Sequence, residues 1–280
     1  MNLLFYFGND FFFSTQLVET AKVLGYQVRL VGSIADISNT SFVDLTQRGE
    51  ALHGQTADLV RCLVDAQPRL LVFDLNNRDL PWIDWISVVK SNASTRRIPI
   101  LAFGSHIAAD VLTAGQQAGA DKVVSNGQFA KQLPVLMQSL LSQNEPIQWD
   151  ADIASQVLPD LAQSGIAYFN AGAFYRAHDD LEAAWVAEPS AVRELYRAIL
   201  QVGIAYYQIQ RGNYNGALKM FLRVKQWLNR LPDVCQTVDV AQLRLDAAAA
   251  EARLLQLGAS QVAVFPVALF RPIQLRVASG

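Results

Sequence analysis

The chain is poor in cysteine, in histidine and in charge imbalance, and each shortage removes a class of protein. Its 280 residues hold two cysteines, Cys62 and Cys235, far apart and in no ligand-spaced motif. That excludes a disulfide scaffold and fits a reduced, intracellular setting. Only three histidines are present, His53, His106 and His178, too few and too scattered for a histidine-based zinc centre. Lys and Arg number 23 against 25 Asp and Glu, for a net charge of −2. That balance disfavours nucleic acid and anionic membrane as partners. No window reaches the ~18 uninterrupted apolar residues of a membrane span. The start, Met1 to Asp10, lacks a basic region, and Gly8-Asn9-Asp10 stops its apolar run short of a signal core. These features predict a cytoplasmic protein that does not enter a membrane. Internal repeats and low-complexity runs are absent as well.

What remains is core-forming material: 51% of residues are hydrophobic, in a length suited to two domains. The spacing predicts an α/β domain over 1–145, a linker over 146–152, an all-α helical bundle over 153–258 and an extended tail over 259–280. In the first domain short apolar runs at 3–7, 27–31, 70–75, 98–103 and 122–124 read as strands of a parallel sheet. Helical patterns at 13–24, 56–66, 82–90, 107–118 and 128–141 alternate with them. Residues 33–53 read as a polar, irregular connection. In the second domain helices are expected at 153–170, 173–188, 191–210, 214–230 and 240–257, joined by short loops. Pro266 and Pro272 bar a central strand from the β-like tail, leaving an extended arm or an edge strand.

The candidate site in the second domain is a polar cluster on one expected helix. At steps of three and four, Phe174, His178, Glu182 and Trp185 share a face, which Phe174, Leu181 and Trp185 make apolar. His178 and Glu182 then fall where a core stripe is expected, and polar groups so placed need partners. Three readings follow. The first is a buried His178–Glu182 hydrogen bond tied to Arg197 or Gln201, fixing helix register. The second is a small-ligand pocket of His178, Glu182, Trp185, Arg197 and Gln201. The third is a metal or catalytic site of His178, Asp179 and Glu182, with Glu194 as a further ligand. Such an oxygen-rich set suits Mg²⁺ or Mn²⁺ better than Zn²⁺. Asn170 reads as the cap of the turn before this helix, and Gly212-Asn213 as a helix–helix turn. Gly216-Ala217 reads as a place where two helices approach closely. Between Glu194 and Asp233 no acid occurs. Lys219, Arg223 and Arg230 there form a basic face opposite a core stripe of Ala217, Met220, Phe221, Val224, Trp227 and Leu228.

The strings Phe169-Asn170, His178-Asp179, Leu181-Glu182, Trp185 and Arg211-Gly212-Asn213 with Gly216-Ala217 resemble the DUF309 family, a helical domain of unassigned function. That resemblance implies a metal-dependent hydrolase as one activity; Asp179 stands where the family usually has Glu. The five β/α units of the first half resemble the receiver domain of response regulators. In that family an acidic pair after the first strand helps to hold Mg²⁺, and an aspartate after the third accepts a phosphoryl group. A hydroxyl follows the fourth strand and a lysine the fifth. Here Asp74 stands at the acceptor position and Gly8-Asn9-Asp10 at the acidic pair. Gly104 or Ser105 takes the hydroxyl position, and Asn126 replaces the lysine. The resemblance therefore implies a pseudo-receiver kept for docking or for a homodimer, with Asp74 either a turn-forming carboxylate or a phosphoacceptor. Asn9, Asp10, Asp74, Ser105 and Asn126 are expected to gather at the strand ends. The combined expectation is a non-enzymatic regulatory or scaffolding protein that binds a protein partner or small ligand. Its alternatives are the hydrolase and a regulator phosphorylated at Asp74.

Overall fold

The computed structural model describes residues 2–38, 55–142 and 147–276. The described chain forms two compact units, which change over between Ser142 and Ile147. Among the described residues no helix is long and apolar enough to cross a membrane.

In the first unit, β1 (Leu3–Phe7), β2 (Gln27–Val31), β3 (Leu70–Asp74), β4 (Ile100–Gly104) and β5 (Lys122–Ser125) form one parallel sheet. Their order is β2-β1-β3-β4-β5. The register sets Phe7 beside Phe73 and Asp74 beside Phe103. Between the strands run α1 (Phe11–Val23), α2 (Ala35–Ser38), α3 (Gln55–Ala66), α4 (Trp82–Ser91), α5 (Ala109–Gln117) and α6 (Asn126–Ser142). β3 and β4 read as unbroken apolar runs because helices cover both sheet faces. Phe5, Phe7, Leu71 and Phe73 pack with Leu59, Leu63 and Trp85 on one side. Leu4, Tyr6, Val72 and Phe103 pack with Leu17, Phe129 and Leu133 on the other. α1 ends where Gly25 takes a φ of +79°, so that the Tyr26 N–H turns back to the Ala21 carbonyl at 2.8 Å. Pro134 lies inside α6 and has no N–H to give the carbonyl one turn back. That carbonyl, on Ala130, accepts instead from Gln16 Nε2 of α1 at 2.6 Å. The expected irregular stretch at 33–53 begins with α2. There Asp36 Oδ2 accepts from the Gly32 and Ser33 N–H groups, each at 2.8 Å. Residues 39–53, His53 among them, lie outside the described residues.

The second unit holds α7 (Asp160–Asn170), α8 (Phe174–Ala187), α9 (Arg193–Gln210), α10 (Tyr214–Leu228) and α11 (Val240–Leu257). A short hairpin of β6 (Val234–Cys235) and β7 (Val238–Asp239) stands before α11. The expected helix at 153–170 starts only at Asp160. Pro159 is extended, with ψ 155°, and the carbonyls of Ile153 and Ala154 are taken by Gln236 N at 2.7 Å and Thr237 N at 2.8 Å. The tail also departs from expectation. Ala259–Val264 and Val267–Leu269 are 3-10 turns, which place Phe270 against Tyr206 and Phe174. Among the described residues of the tail, Leu275 makes a strand-like contact, an antiparallel bridge to Val238. Asn170 does not cap a turn. Its side chain clamps the tail, accepting from Ile273 N at 2.7 Å and donating to Ile273 O at 3.2 Å. Of the expected linker, residue 146 lies outside the described residues, as do 143–145 before it and 277–280 of the tail.

Candidate functional site

At the carboxyl ends of the strands Asn76 links several polar groups, while the buried Tyr6 hydroxyl beside them has no hydrogen-bond partner among the described residues. Asp74 closes β3 and is 3% exposed. Its Oδ1 accepts from the Asn76 backbone N–H at 2.9 Å and from Asn76 Nδ2 at 2.7 Å. Asn76 Nδ2 also lies 3.3 Å from Asn126 Oδ1, and Asn76 Oδ1 accepts from Ser105 N at 3.0 Å. One asparagine thus ties together the ends of β3, β4 and β5. The sequence reading passed over Asn76, although an asparagine two residues after a strand-ending aspartate signals such a turn. Burial pushes the Asp74 carboxyl above the usual carboxylate range; the Asn76 donors oppose this and the nearby Asp10 adds to it.

Asp10 and Asn9 come to this end of the sheet but turn to other tasks. Asp10 Oδ1 caps α1, accepting from Phe13 N at 3.0 Å. Asn9 Nδ2 donates to Asp79 Oδ2 at 3.2 Å. Gly8 is required by crowding. A Cβ there would lie 2.7 Å from the Tyr6 ring and 2.9 Å from Asp74 Cβ. Burial, with Asp74 beside it, holds the Tyr6 hydroxyl proton on well above the ordinary phenol range. These residues do not fit the Mg²⁺ site of a receiver. Gly8 and Asn9 bring no charge, Asp10 is spent on the cap, and Asn126 brings an amide where a cation is needed.

In the second unit the face of α8 is rotated from the expected one. Its buried residues are Phe174, Ala177, Leu181 and Ala184. The reason lies on α7, where Gly165 leaves room for Leu181: a Cβ on Gly165 would sit 2.6 Å from Leu181 Cγ. His178 and Trp185 are consequently only half-buried and Glu182 is exposed. No hydrogen bond or ion pair joins His178 to Glu182 among the described residues, so the expected buried pair is not formed. His178 Nδ1 lies 3.4 Å from Asp179 Oδ1, whose side chain is 69% exposed. Among the described residues no three His, Cys, Asp or Glu side chains are gathered as a metal ion requires.

The structure does bring Trp185 to Arg197. The Arg197 guanidinium lies 5.0 Å from the centre of the Trp185 ring and 3.9 Å from that of Trp227. Arg193 is 5.1 Å from the Trp185 ring, and Arg197 Nη1 is 3.9 Å from Glu194 Oε2. Such stacking holds a planar cation against two electron-rich faces. Gln201, one turn along α9 from Arg197, is buried. Arg193 escaped the sequence reading, and Trp227 was given to the core alone; the spacing of Arg193, Arg197 and Gln201 at steps of four was the available signal. The Arg211-Gly212-Asn213 string is architectural. Gly212 has a φ of +71°, and Asn213 Oδ1 caps α10 by accepting from Gly216 N at 2.9 Å. Gly216 makes room for that cap and not for a second helix, since a Cβ there would meet the Asn213 amide at 2.5 Å.

Comparison with known proteins adds the following. Chemotaxis response regulator CheY4 of Vibrio cholerae is 13% identical over 50% of this chain and 98% of its own, with a TM-score of 0.36. The cyanobacterial phytochrome response regulator RcpA is 15% identical over 51% of this chain and 96% of its own, with a TM-score of 0.38. A response regulator receiver domain from Rhodospirillum rubrum is 18% identical over 48% of this chain and 89% of its own, with a TM-score of 0.36. The fold itself rests on the strand order, which is that of the doubly wound flavodoxin-like sheet. No curated protein matches the chain. The family model described as "Domain of unknown function (DUF309)" matches residues 162–220, so the helical unit is similar to that family from α7 into α10.

Proposed function

We propose that this chain is a non-enzymatic regulatory or scaffolding protein of the cytoplasm. Its receiver-like unit serves docking or self-association, and its helical unit binds a small ligand or a protein partner. The observation that carries this reading is the Asn76-centred network at Asp74. Its carboxylate is bound by Asn76, which is bound in turn to the ends of the next two strands. Phosphoryl transfer to an aspartate depends on a metal and a cation that offset developing charge, and the neighbouring residues offer neither. Binding therefore falls to the helical unit, where Trp185, Arg193 and Arg197 stand together on α8 and α9.

The test sets this reading against the hydrolase centred on His178, Asp179 and Glu182. Purified wild type, His178→Ala and Glu182→Ala are compared for divalent metal content and for hydrolysis of a panel of ester, amide and phosphoester substrates. The reading predicts no turnover and the same metal content in all three. Turnover that His178→Ala abolishes, with the melting curve unchanged, would overturn it.

A further inference from the structure

An open cavity of about 610 Å³ in the helical unit is lined by the start of α11 and by the tail, a size that suits a small molecule. Asp239, Gln242 and Asp246 line it from the helix, and Arg271 and Arg276 from the tail. The tail is tied down here. Arg276 Nε donates to Asp239 Oδ2 at 2.7 Å and Arg276 Nη2 to Asp239 Oδ1 at 3.1 Å. The Asp239 N–H donates to the Gln274 carbonyl at 2.9 Å, and the Arg276 N–H to the Thr237 carbonyl at 2.7 Å. The lining is therefore set before any ligand arrives, which lowers the cost of ordering it on binding.

Asp239 and Arg276 satisfy each other. Asp246 and Arg271 line the same cavity, yet no ion pair joins them among the described residues. Asp246 Oδ1 accepts from Gln242 Nε2 at 2.9 Å. With its amide nitrogen so used, Gln242 keeps Oε1 as an acceptor, and Asp246 keeps Oδ2. The helix thus contributes acceptors and Arg271 contributes donors. Two carboxylates and two guanidinium groups leave the lining with no net charge, so it has no general attraction for an anion or for a cation. A molecule carrying both signs is matched: an ammonium for Asp246 and Gln242, and a carboxylate for the planar fork of Arg271. Pro272 and Leu275, which also line the cavity, offer apolar contact to the carbon chain between such ends.

The Tyr206 hydroxyl is an independent sign that these two charges lie close to one point. It is fully buried and has no hydrogen-bond partner among the described residues. Burial holds its proton on, Asp246 adds to this and Arg271 opposes it.

We propose that the cavity between Asp246 and Arg271 binds a small zwitterion of the amino-acid class, with its ammonium on Asp246 and its carboxylate on Arg271. The proposal goes beyond the reading above, because this cavity shares no residue with the Trp185–Arg197 stack, and its failure leaves that reading as it stands.

The experiment is calorimetric titration of the full chain with glycine, β-alanine, γ-aminobutyrate and ε-aminocaproate, a series in which the separation of the two charges grows. Butyrate and butylamine, each carrying one of the two charges, are the controls. At least one zwitterion is expected to bind saturably, and both controls about tenfold or more weaker, as loss of a charged hydrogen bond implies. Arg271→Gln and Asp246→Asn are each expected to weaken the zwitterion by a similar factor. Their ligand-free melting curves are expected to match wild type, since Arg271 is exposed and Asn keeps an acceptor for Gln242. Should Asp246→Asn fail to fold, Arg271→Gln carries the test. No saturable heat from any member of the series overturns the proposal, as does unchanged affinity in Arg271→Gln. Butyrate or butylamine binding as tightly as the best zwitterion also overturns it, because one charge would then suffice.

Discussion

Leu181→Ala is expected to lower the stability of the helical unit by about 2–5 kcal/mol, the range for truncating a buried leucine. His178→Ala and Glu182→Ala, on the same helix, are each expected to change it by no more than about 0.5 kcal/mol, as at ordinary surface positions. The contrast follows from the rotation of α8. Leu181 is fully buried against Gly165, and that glycine is a fixed feature of α7 that cannot move to fill the gap. His178 is half-buried with a long contact to an exposed aspartate, and Glu182 faces solvent. Urea denaturation of the three variants, followed by far-UV circular dichroism, measures this directly. A His178→Ala loss as large as that of Leu181→Ala would restore the core stripe that the sequence alone suggests and would contradict the rotation described here.

The second large effect is expected at Asn76. Asn76→Ala removes a donor from the buried Asp74 carboxylate and the acceptor of the Ser105 N–H. Leaving such groups unsatisfied costs about 1–3 kcal/mol, so the receiver-like unit is expected to lose stability on that scale. Asp74→Asn is expected to behave oppositely, because it keeps an acceptor for Asn76 and removes a desolvated charge. The sign follows from the raised folded-state pKa of Asp74. The folded protein holds that proton more tightly than the unfolded chain does. The Asp74 contribution therefore favours folding at pH values below the ordinary carboxylate range and is lost as pH rises through the raised value. Asp74→Asn is thus expected to gain on wild type across that interval and to hold a constant advantage above it. Melting curves of the two proteins from pH 4 upward test this; an advantage for wild type at neutral pH would show that Asp74 is held by contacts more favourable than those with Asn76.

The parts of the fold that were readable from sequence are those in which local pattern and tertiary environment agree. β3 and β4 are apolar throughout because both their faces are covered, and no other element explains such runs. α8 was placed correctly as a helix but turned about its axis. The expected apolar face takes in Phe174, Leu181 and Trp185; the buried face keeps Phe174 and Leu181, adds Ala177 and Ala184, and leaves Trp185 half-buried. The stripe centres on Leu181 and not on Trp185 because Gly165, on a different helix, admits Leu181. Periodicity within α8 carries no trace of that glycine. Asn76 was missed for a similar reason, since its partners Ser105 and Asn126 follow other strands and meet it only when the sheet is assembled. The tail at 262–267 has β-like composition, yet Pro266 interrupts it and the rings of Phe265 and Phe270 stack, so aromatic packing decides its course. Among candidate site residues, Arg197 lies over the Trp185 ring, whereas no hydrogen bond joins His178 to Glu182 among the described residues. The difference is geometric: the first pair bridges two helices, while the second lies along one helix without a third group to join it.

The central claim is that the receiver-like unit keeps its fold without the phosphoryl chemistry. Incubating the full chain with Mg²⁺ and acetyl phosphate and measuring its intact mass tests this most directly. The account predicts no phosphoryl adduct on wild type and identical spectra for wild type and Asp74→Asn. A Mg²⁺-dependent gain of one phosphoryl group that Asp74→Asn removes would contradict it.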